Sequence, residues 1–241
     1  MSSKELIDRV RSGDRAALAR LVTAIESGDP DAIETVASSG DLAGSARRIG
    51  VTGPPGAGKS TLISSMIGEL RSRGASVAVL AVDPSSPLTG GALLGDRIRM
   101  QGHVDDPGVF IRSMATRGHL GGLSEAAEAT ISALAEAGFD YLVVETVGVG
   151  QSEVEVMDLV DVVVLVVGPG WGDQIQAEKA GVVEIADLFV VNKADRHGAD
   201  EVRRALMSAS GESGRQVMAT TATTGQGVDA MVDEIDRLLS R

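Results

Sequence analysis

The 241-residue chain contains no cysteine. That excludes disulfides, a thiolate nucleophile and any cysteine-based metal site. The three histidines, His103, His119 and His197, show no ligand spacing either. Aromatic residues are 2 % of the chain against 43 % hydrophobic residues in all, so the core has to be built from Val, Leu, Ile and Ala. A formal net charge of −12 argues against a nucleic-acid or anionic-membrane surface. No apolar run is long enough to cross a bilayer. The charged start Met1-Ser2-Ser3-Lys4-Glu5 lacks the apolar segment of a secretory signal, so a soluble, cytoplasmic protein is expected. Lysine is scarce as well. Only Lys4, Lys59, Lys179 and Lys193 occur, while arginine supplies the rest of the positive charge.

Three of those lysines fall in glycine-rich or nucleotide-type loops. A lysine kept in an arginine background suggests a site that needs a compact ammonium rather than a planar guanidinium. Lys59 closes the string Gly53-Pro54-Pro55-Gly56-Ala57-Gly58-Lys59-Ser60, followed by Thr61. This fits G-x-x-x-x-G-K-[ST], a loop whose backbone N–H groups wrap phosphates. Gly53, Gly56 and Gly58 let the chain approach the ligand with no Cβ in the way. In this pattern Lys59 reaches the β- and γ-phosphates and the Ser60 hydroxyl ligates Mg²⁺. Asn192-Lys193-Ala194-Asp195 follows the apolar run Leu188–Val191. The Asp195 carboxylate can accept two hydrogen bonds from guanine N1–H and N2–H₂, which adenine cannot donate. The expected ligands are therefore GTP and GDP with Mg²⁺.

From Ala46 onward, β and α alternate. Strands are expected at 47–52, 76–82, 108–112, 140–145, 161–167, 187–191 and 216–220, and helices at 60–73, 124–137, 174–185, 199–209 and 227–240. Several strands are unbroken Val/Leu/Ile runs, the pattern of parallel strands buried on both faces. The expectation is an α/β, doubly wound, mostly parallel sheet over residues 46–241. Its ligand should lie at the carboxyl ends of the strands. Residues 1–45 read as a short N-terminal helical extension, a capping arm of two or three helices.

Asp83 and Glu145 end two of the predicted strands, on the same rim as the phosphate loop. They are assigned to the Mg²⁺ coordination or water shell with Ser60, one of them also orienting the attacking water. The Gly148 amide is placed to bond the γ-phosphate. Val149 stands where Ras-type GTPases carry a water-positioning glutamine, and Gln151 lies two residues beyond, so slow intrinsic hydrolysis is expected. Three glycine-rich loops follow strands: Asp83–Arg97, Arg112–His119 and Gly168–Lys179. In the last, Asp173 and Lys179 are candidates for a transition-state contact once a partner orders the loop. Trp171, the only tryptophan, is expected to anchor a partner or interface. Arg117-Gly118-His119-Leu120-Gly121-Gly122 has arginine where cobalamin-ligating Asp-x-His-x-x-Gly motifs have aspartate, so direct cobalamin ligation is not expected.

The strings Gly53–Thr61, Val82-Asp83-Pro84-Ser85-Ser86, Thr89–Arg97, Arg112–Gly118, Glu145–Gln151 and Asn192–Asp195 together resemble the methylmalonyl-CoA mutase-associated GTPases, the MeaB/ArgK-like P-loop GTPase family, some of them long labelled arginine/ornithine transport ATPases or kinases. The resemblance covers roughly residues 45–195. It implies a GTP-hydrolysing chaperone that gates adenosylcobalamin loading and protects or reactivates an acyl-CoA mutase. It also implies that Glu145 replaces the usual Walker-B aspartate, that the Asp173–Lys179 loop is a third switch, and that Thr221-Ala222 is the loop packing on guanine. Family members usually carry a C-terminal helical arm used for dimerisation; with the last predicted helix ending near Arg241, a homodimer is left open. Two other readings are weighed. A nickel-insertion GTPase chaperone would need a Cys/His metal site. A small-molecule kinase or transport ATPase would have no use for Asp195.

Overall fold

A computed structural model describes residues 1–38, 46–83, 100–115, 122–146, 155–171, 182–210 and 215–241. Seven strands, β1 (Arg47–Thr52), β2 (Val77–Asp83), β3 (Val109–Ala115), β4 (Tyr141–Thr146), β5 (Val162–Val167), β6 (Leu188–Asn192) and β7 (Gln216–Thr220), form one sheet in the order β3-β2-β4-β1-β5-β6-β7. Every pairing is parallel. All seven expected strands are present, and the residues of β4 and β5 are buried throughout. Helices among the described residues are α1 (Ser3–Arg11), α2 (Arg15–Glu26), α3 (Pro30–Ala37), α4 (Lys59–Ser72), α5 (Gly122–Glu136), α6 (Val182–Ile185), α7 (Ala199–Ser210) and α8 (Val228–Leu239). Of the helix expected at 174–185, only its end, α6, falls within the described residues. None of these helices is long and apolar enough to cross a membrane.

Each face of the sheet carries its own aliphatic core. On one face α4 and α8 bury Leu62, Met66, Ile67, Met231 and Ile235 against Ile49, Val51, Val143 and Val164. On the other, α1–α3, α5 and α7 cover Leu142, Val144, Leu165 and Phe189. The three N-terminal helices open on good caps: Ser2 forms a capping box with Glu5, and Asp14 and Asp29 accept from the first-turn amides of α2 and α3. Their apolar stripes, including Leu6, Val10, Leu18, Leu21, Val22 and Ile25, enter the same core as the sheet.

Side chains of α2 also bond the edge strand at two points. Gly108 O bonds Val77 N, so the next carbonyl, Val109 O, faces away from β2. The Arg15 guanidinium donates to Val109 O at 2.7 Å and to Pro107 O. Farther along, Arg112 pairs with Glu26 and donates to Thr23 Oγ1 at 3.1 Å.

At the amino-terminal rim, carboxylates tie neighbouring strands together. Asp140 accepts from Ser76 N and Ser76 Oγ, Asp161 from Arg48 N, and Asp187 from Val163 N. The carboxyl-terminal rim is left for chemistry. The order reverses around β1, since the chain builds β2, β3 and β4 on one side and β5–β7 on the other. A switch point of this kind opens a crevice at the strand ends.

Candidate nucleotide site

The loop from Gly53 to Gly58 leaves β1 at that switch point and enters α4. Gly53 has φ +140°, and a Cβ there would stand 2.0 Å from Val166 O of β5. Gly58, the left-handed cap of α4, would put a Cβ 2.5 Å from Asn192 Nδ2. Glycine is thus required at both, because the loop is pressed against β5 and the end of β6. The first-turn amides of α4 and the positive end of its dipole face the loop's concavity, a ready anion site.

Lys59 is buried and arches back over the loop. Its Nζ donates to Gly53 O at 2.8 Å and to Pro54 O at 3.2 Å. Ser60 Oγ donates to Glu145 Oε1 at 2.8 Å, and Glu145 is only 1 % exposed. Register explains the meeting. Glu145 stands opposite Val51 of β1 and Ala81 of β2, directly beside the strand that carries the phosphate loop. Asp83 is the last residue of β2, one step past the Val82–Thr146 pair, so its backbone lies on the same rim. Two hard oxygen donors held together beside a helix N-terminus suit Mg²⁺, which takes few protein ligands and completes its shell with phosphate and water.

The guanine side hangs on Asn192, the last residue of β6. Its Nδ2 donates to Ala57 O at 3.1 Å and to Gly58 O at 3.4 Å. Its Oδ1 accepts from Ala222 N at 3.1 Å and Thr220 Oγ1 at 3.3 Å. One amide therefore braces the phosphate loop against the Thr221–Ala222 loop. Lys193 takes a left-handed conformation, φ 59°, which turns its Nζ onto Gly56 O at 2.6 Å. Ala194 N donates to Thr220 O at 3.0 Å, and Thr221 N to Gln226 O at 3.0 Å. The first of these bonds ties the residue before Asp195 to the end of β7; Asp195 is exposed, and Thr221 and Ala222 are buried. A groove of about 420 Å³ runs between Pro54–Ala57, Gly168–Trp171, Lys193 and Arg196.

Gly53–Thr61, Glu145, Asn192, Lys193, Asp195, Thr221 and Ala222 are thus brought to one rim. The Asp83 side chain, Gly148, Val149, Gln151, Asp173 and Lys179 lie outside the described residues. One expectation is corrected. Trp171 is 6 % exposed and belongs to the apolar core, because in a chain so poor in aromatics it fills the space beside the phosphate loop instead of projecting to solvent. Two features escaped the sequence reading. Thr220, whose hydroxyl orients Asn192, was hidden beside the recognisable Thr221-Ala222. The Arg112–Glu26 pair joins residues 86 apart and left no local signal.

Residues 18–240 match the family model described as methylmalonyl Co-A mutase-associated GTPase MeaB. The chain is 52 % identical over 240 residues to a protein of Pyrococcus abyssi named as a GTPase, covering 96 % of this chain and 74 % of that one. It is 41 % identical over 239 residues to the GTPase ArgK of Escherichia coli, covering 93 % and 72 %. To the mitochondrial methylmalonic aciduria type A homolog of Caenorhabditis elegans it is 38 % identical over 211 residues, covering 80 % and 52 %. Among solved structures, that of a LAO/AO transport system kinase superposes with a TM-score of 0.76 at 32 % identity, covering 99 % of this chain and 76 % of that one. The hydrogenase maturation factor HypB of Archaeoglobus fulgidus, at 15 % identity and a TM-score of 0.59 over 93 % of this chain and 99 % of that one, shares the fold.

Proposed function

The chain belongs to the methylmalonyl-CoA mutase-associated GTPases, and from that membership we propose that it hydrolyses GTP slowly by itself and faster when bound to an adenosylcobalamin-dependent acyl-CoA mutase, whose cofactor loading it gates. The observation that carries the nucleotide part is the Asn192 brace, which holds the phosphate loop and the guanine-side loops in one unit. The mutase part rests on the family and on the methylmalonic aciduria type A homolog.

The loop amides and the start of α4 hold the phosphates. Lys59 leaves the two carbonyls it bonds and neutralises β- and γ-oxygens. Asp195 accepts from guanine N1–H and N2–H₂. Ser60 and Glu145, with Asp83, would hold Mg²⁺, which supplies charge neutralisation on the phosphates. Glu145 or Asp83 orients the water that attacks the γ-phosphorus as the bond to the β-phosphate oxygen breaks. Gly148 would bond the γ-phosphate, and Asp173 or Lys179 would complete the site when the partner binds. A contact supplied by a partner is worth roughly 10³–10⁵ in rate in other GTPases.

GTP turnover measured with and without candidate mutases tests the proposal. Acceleration in the parent that is lost in Lys179→Ala or Asp173→Ala supports it. Acceleration that survives both removes that loop from the mechanism, and no acceleration by any adenosylcobalamin-dependent mutase removes the partner. The kinase or transport-ATPase reading predicts equal affinity for ATP and GTP in calorimetry, whereas Asp195 predicts strong guanine preference.

A further inference from the structure

The edge strand β3 is the outer neighbour of the strand that carries Asp83. Ala115 stands opposite Asp83, and Arg112 stands opposite Leu80, three residues earlier. Among the described residues β3 pairs within the sheet with β2 alone, and no strand holds its other side. What holds it is α2, by directional bonds at two points. Arg15, at the start of the helix, takes the carbonyls of Pro107 and Val109. Glu26, at its end, meets the Arg112 guanidinium at two nitrogens, with Thr23 as a further acceptor.

These bonds are not needed to attach the helix. Leu18, Leu21, Val22 and Ile25 are each 1 % exposed or less and dock α2 by themselves. The ladder to β2 sets the register of β3 from one side; on the other side a two-toothed guanidinium–carboxylate pair adds a directional hold that apolar contact does not give. The pair is also shielded, with side chains 25 % and 15 % exposed, which limits screening by salt.

We propose that Arg112 and Glu26 are positioning residues for the magnesium–nucleotide site: they pin the exit of β3 and so fix the carboxyl end of β2, which bears Asp83. The N-terminal extension then acts on the chemistry from behind the sheet. The proposal rests on the assignment of Asp83 to the Mg²⁺ shell.

The test compares Arg112→Gln, Glu26→Gln and the charge-reversed Glu26→Arg/Arg112→Glu chain with the parent. Arg11→Gln serves as control. It removes the Arg11–Glu136 pair, which ties α1 to the far end of α5. Two quantities are read well below the melting temperature: the Mg²⁺ concentration for half-maximal GTP turnover, and amide exchange at Val82, Asp83, Met114 and Ala115 in the nucleotide-free chain. The single variants should need several-fold more Mg²⁺ with turnover at saturating Mg²⁺ preserved, and should exchange faster at the four amides. Charge reversal should restore both, and Arg11→Gln should match the parent. An unchanged Mg²⁺ requirement overturns the proposal even if exchange quickens, because the clamp would then hold the strand without serving the site. Equal changes in Arg11→Gln also overturn it, as general loosening. If the parent itself shows no Mg²⁺-dependent turnover, the assignment of Asp83 falls first, and the proposal falls with it.

Discussion

On the guanine side of the site most ties are neutral, four of them through Asn192 and two more through Ala194 and Thr221, beside the charged bond from Lys193 Nζ to Gly56 O. On the phosphate side two buried ionisable groups, Lys59 and Glu145, rest on partners that a nucleotide and its cation would replace: loop carbonyls for the ammonium, the Ser60 hydroxyl for the carboxylate. The first arrangement is preorganised and, in the proposed function, would act on selectivity. The second would place charge where phosphate charge develops, and so act on rate. The two halves should therefore fail in different ways.

The largest effect should come from the phosphate side. Lys59→Ala removes a compact cation from beneath the phosphates, and single-turnover GTP hydrolysis should fall by about a hundredfold or more. Glu145→Gln keeps the shape and an acceptor for Ser60 while deleting the charge. Its hydrolysis should fall by about a hundredfold, with Mg²⁺ titration showing that the loss is metal-dependent. GDP affinity measured without Mg²⁺ should change little. Parent-like hydrolysis in this variant would remove Glu145 from the metal shell and leave the comparison between the halves without its chemical half.

On the guanine side the expected loss is smaller and selective. Asp195→Asn exchanges a charged acceptor for an amide, a loss of about 1.5–3 kcal/mol in hydrogen bonding. Guanine-nucleotide affinity should fall roughly 10- to 100-fold, with preference shifting to xanthine nucleotides, whose C2 oxygen accepts from the new amide. Calorimetry with GDP, XDP and ADP reads this directly. An equal loss for all three bases would mean that Asp195 supports the loop rather than reads the base.

The same contrast explains what was legible in the sequence. Unbroken aliphatic runs such as Val162–Val167 and Leu188–Val191 betray buried parallel strands, and glycine strings betray a loop under tight contact, as the 2.0 Å approach at Gly53 shows. Asn192, Lys193 and Asp195 are adjacent in the chain, so their joint role survives in local pattern. Thr220 and Arg112 act through partners 28 and 86 residues away, and only the fold brings those pairs together. Trp171 was misread for a related reason. Its glycine-rich surroundings suggest exposure, but the neighbouring phosphate loop and core enclose it.

The smallest effect should appear at the opposite rim, where carboxylates accept from backbone amides in and beside neighbouring strands. The Ser76 backbone amide, and then its hydroxyl, hold the Asp140 carboxyl below the usual range, and Arg71, followed by the Gly108 amide, does the same for Asp106. A carboxyl whose folded-state pKa is depressed binds fewer protons folded than unfolded. Its contribution to stability is complete above the unfolded value of about 4 and is lost as pH falls through the lower, folded value. Thermal melts from pH 6 down to pH 3 should therefore show stability falling below about pH 4. The fall should be shallower in Asp140→Asn, which has no carboxylate to protonate there. Near neutral pH the same variant should bind GDP and hydrolyse GTP like the parent, since its bonds lie at the end of the sheet away from the phosphate loop. An altered nucleotide affinity would show that the two rims are coupled through the strands. An unchanged acid slope would show that Asp140 contributes nothing to the pH dependence.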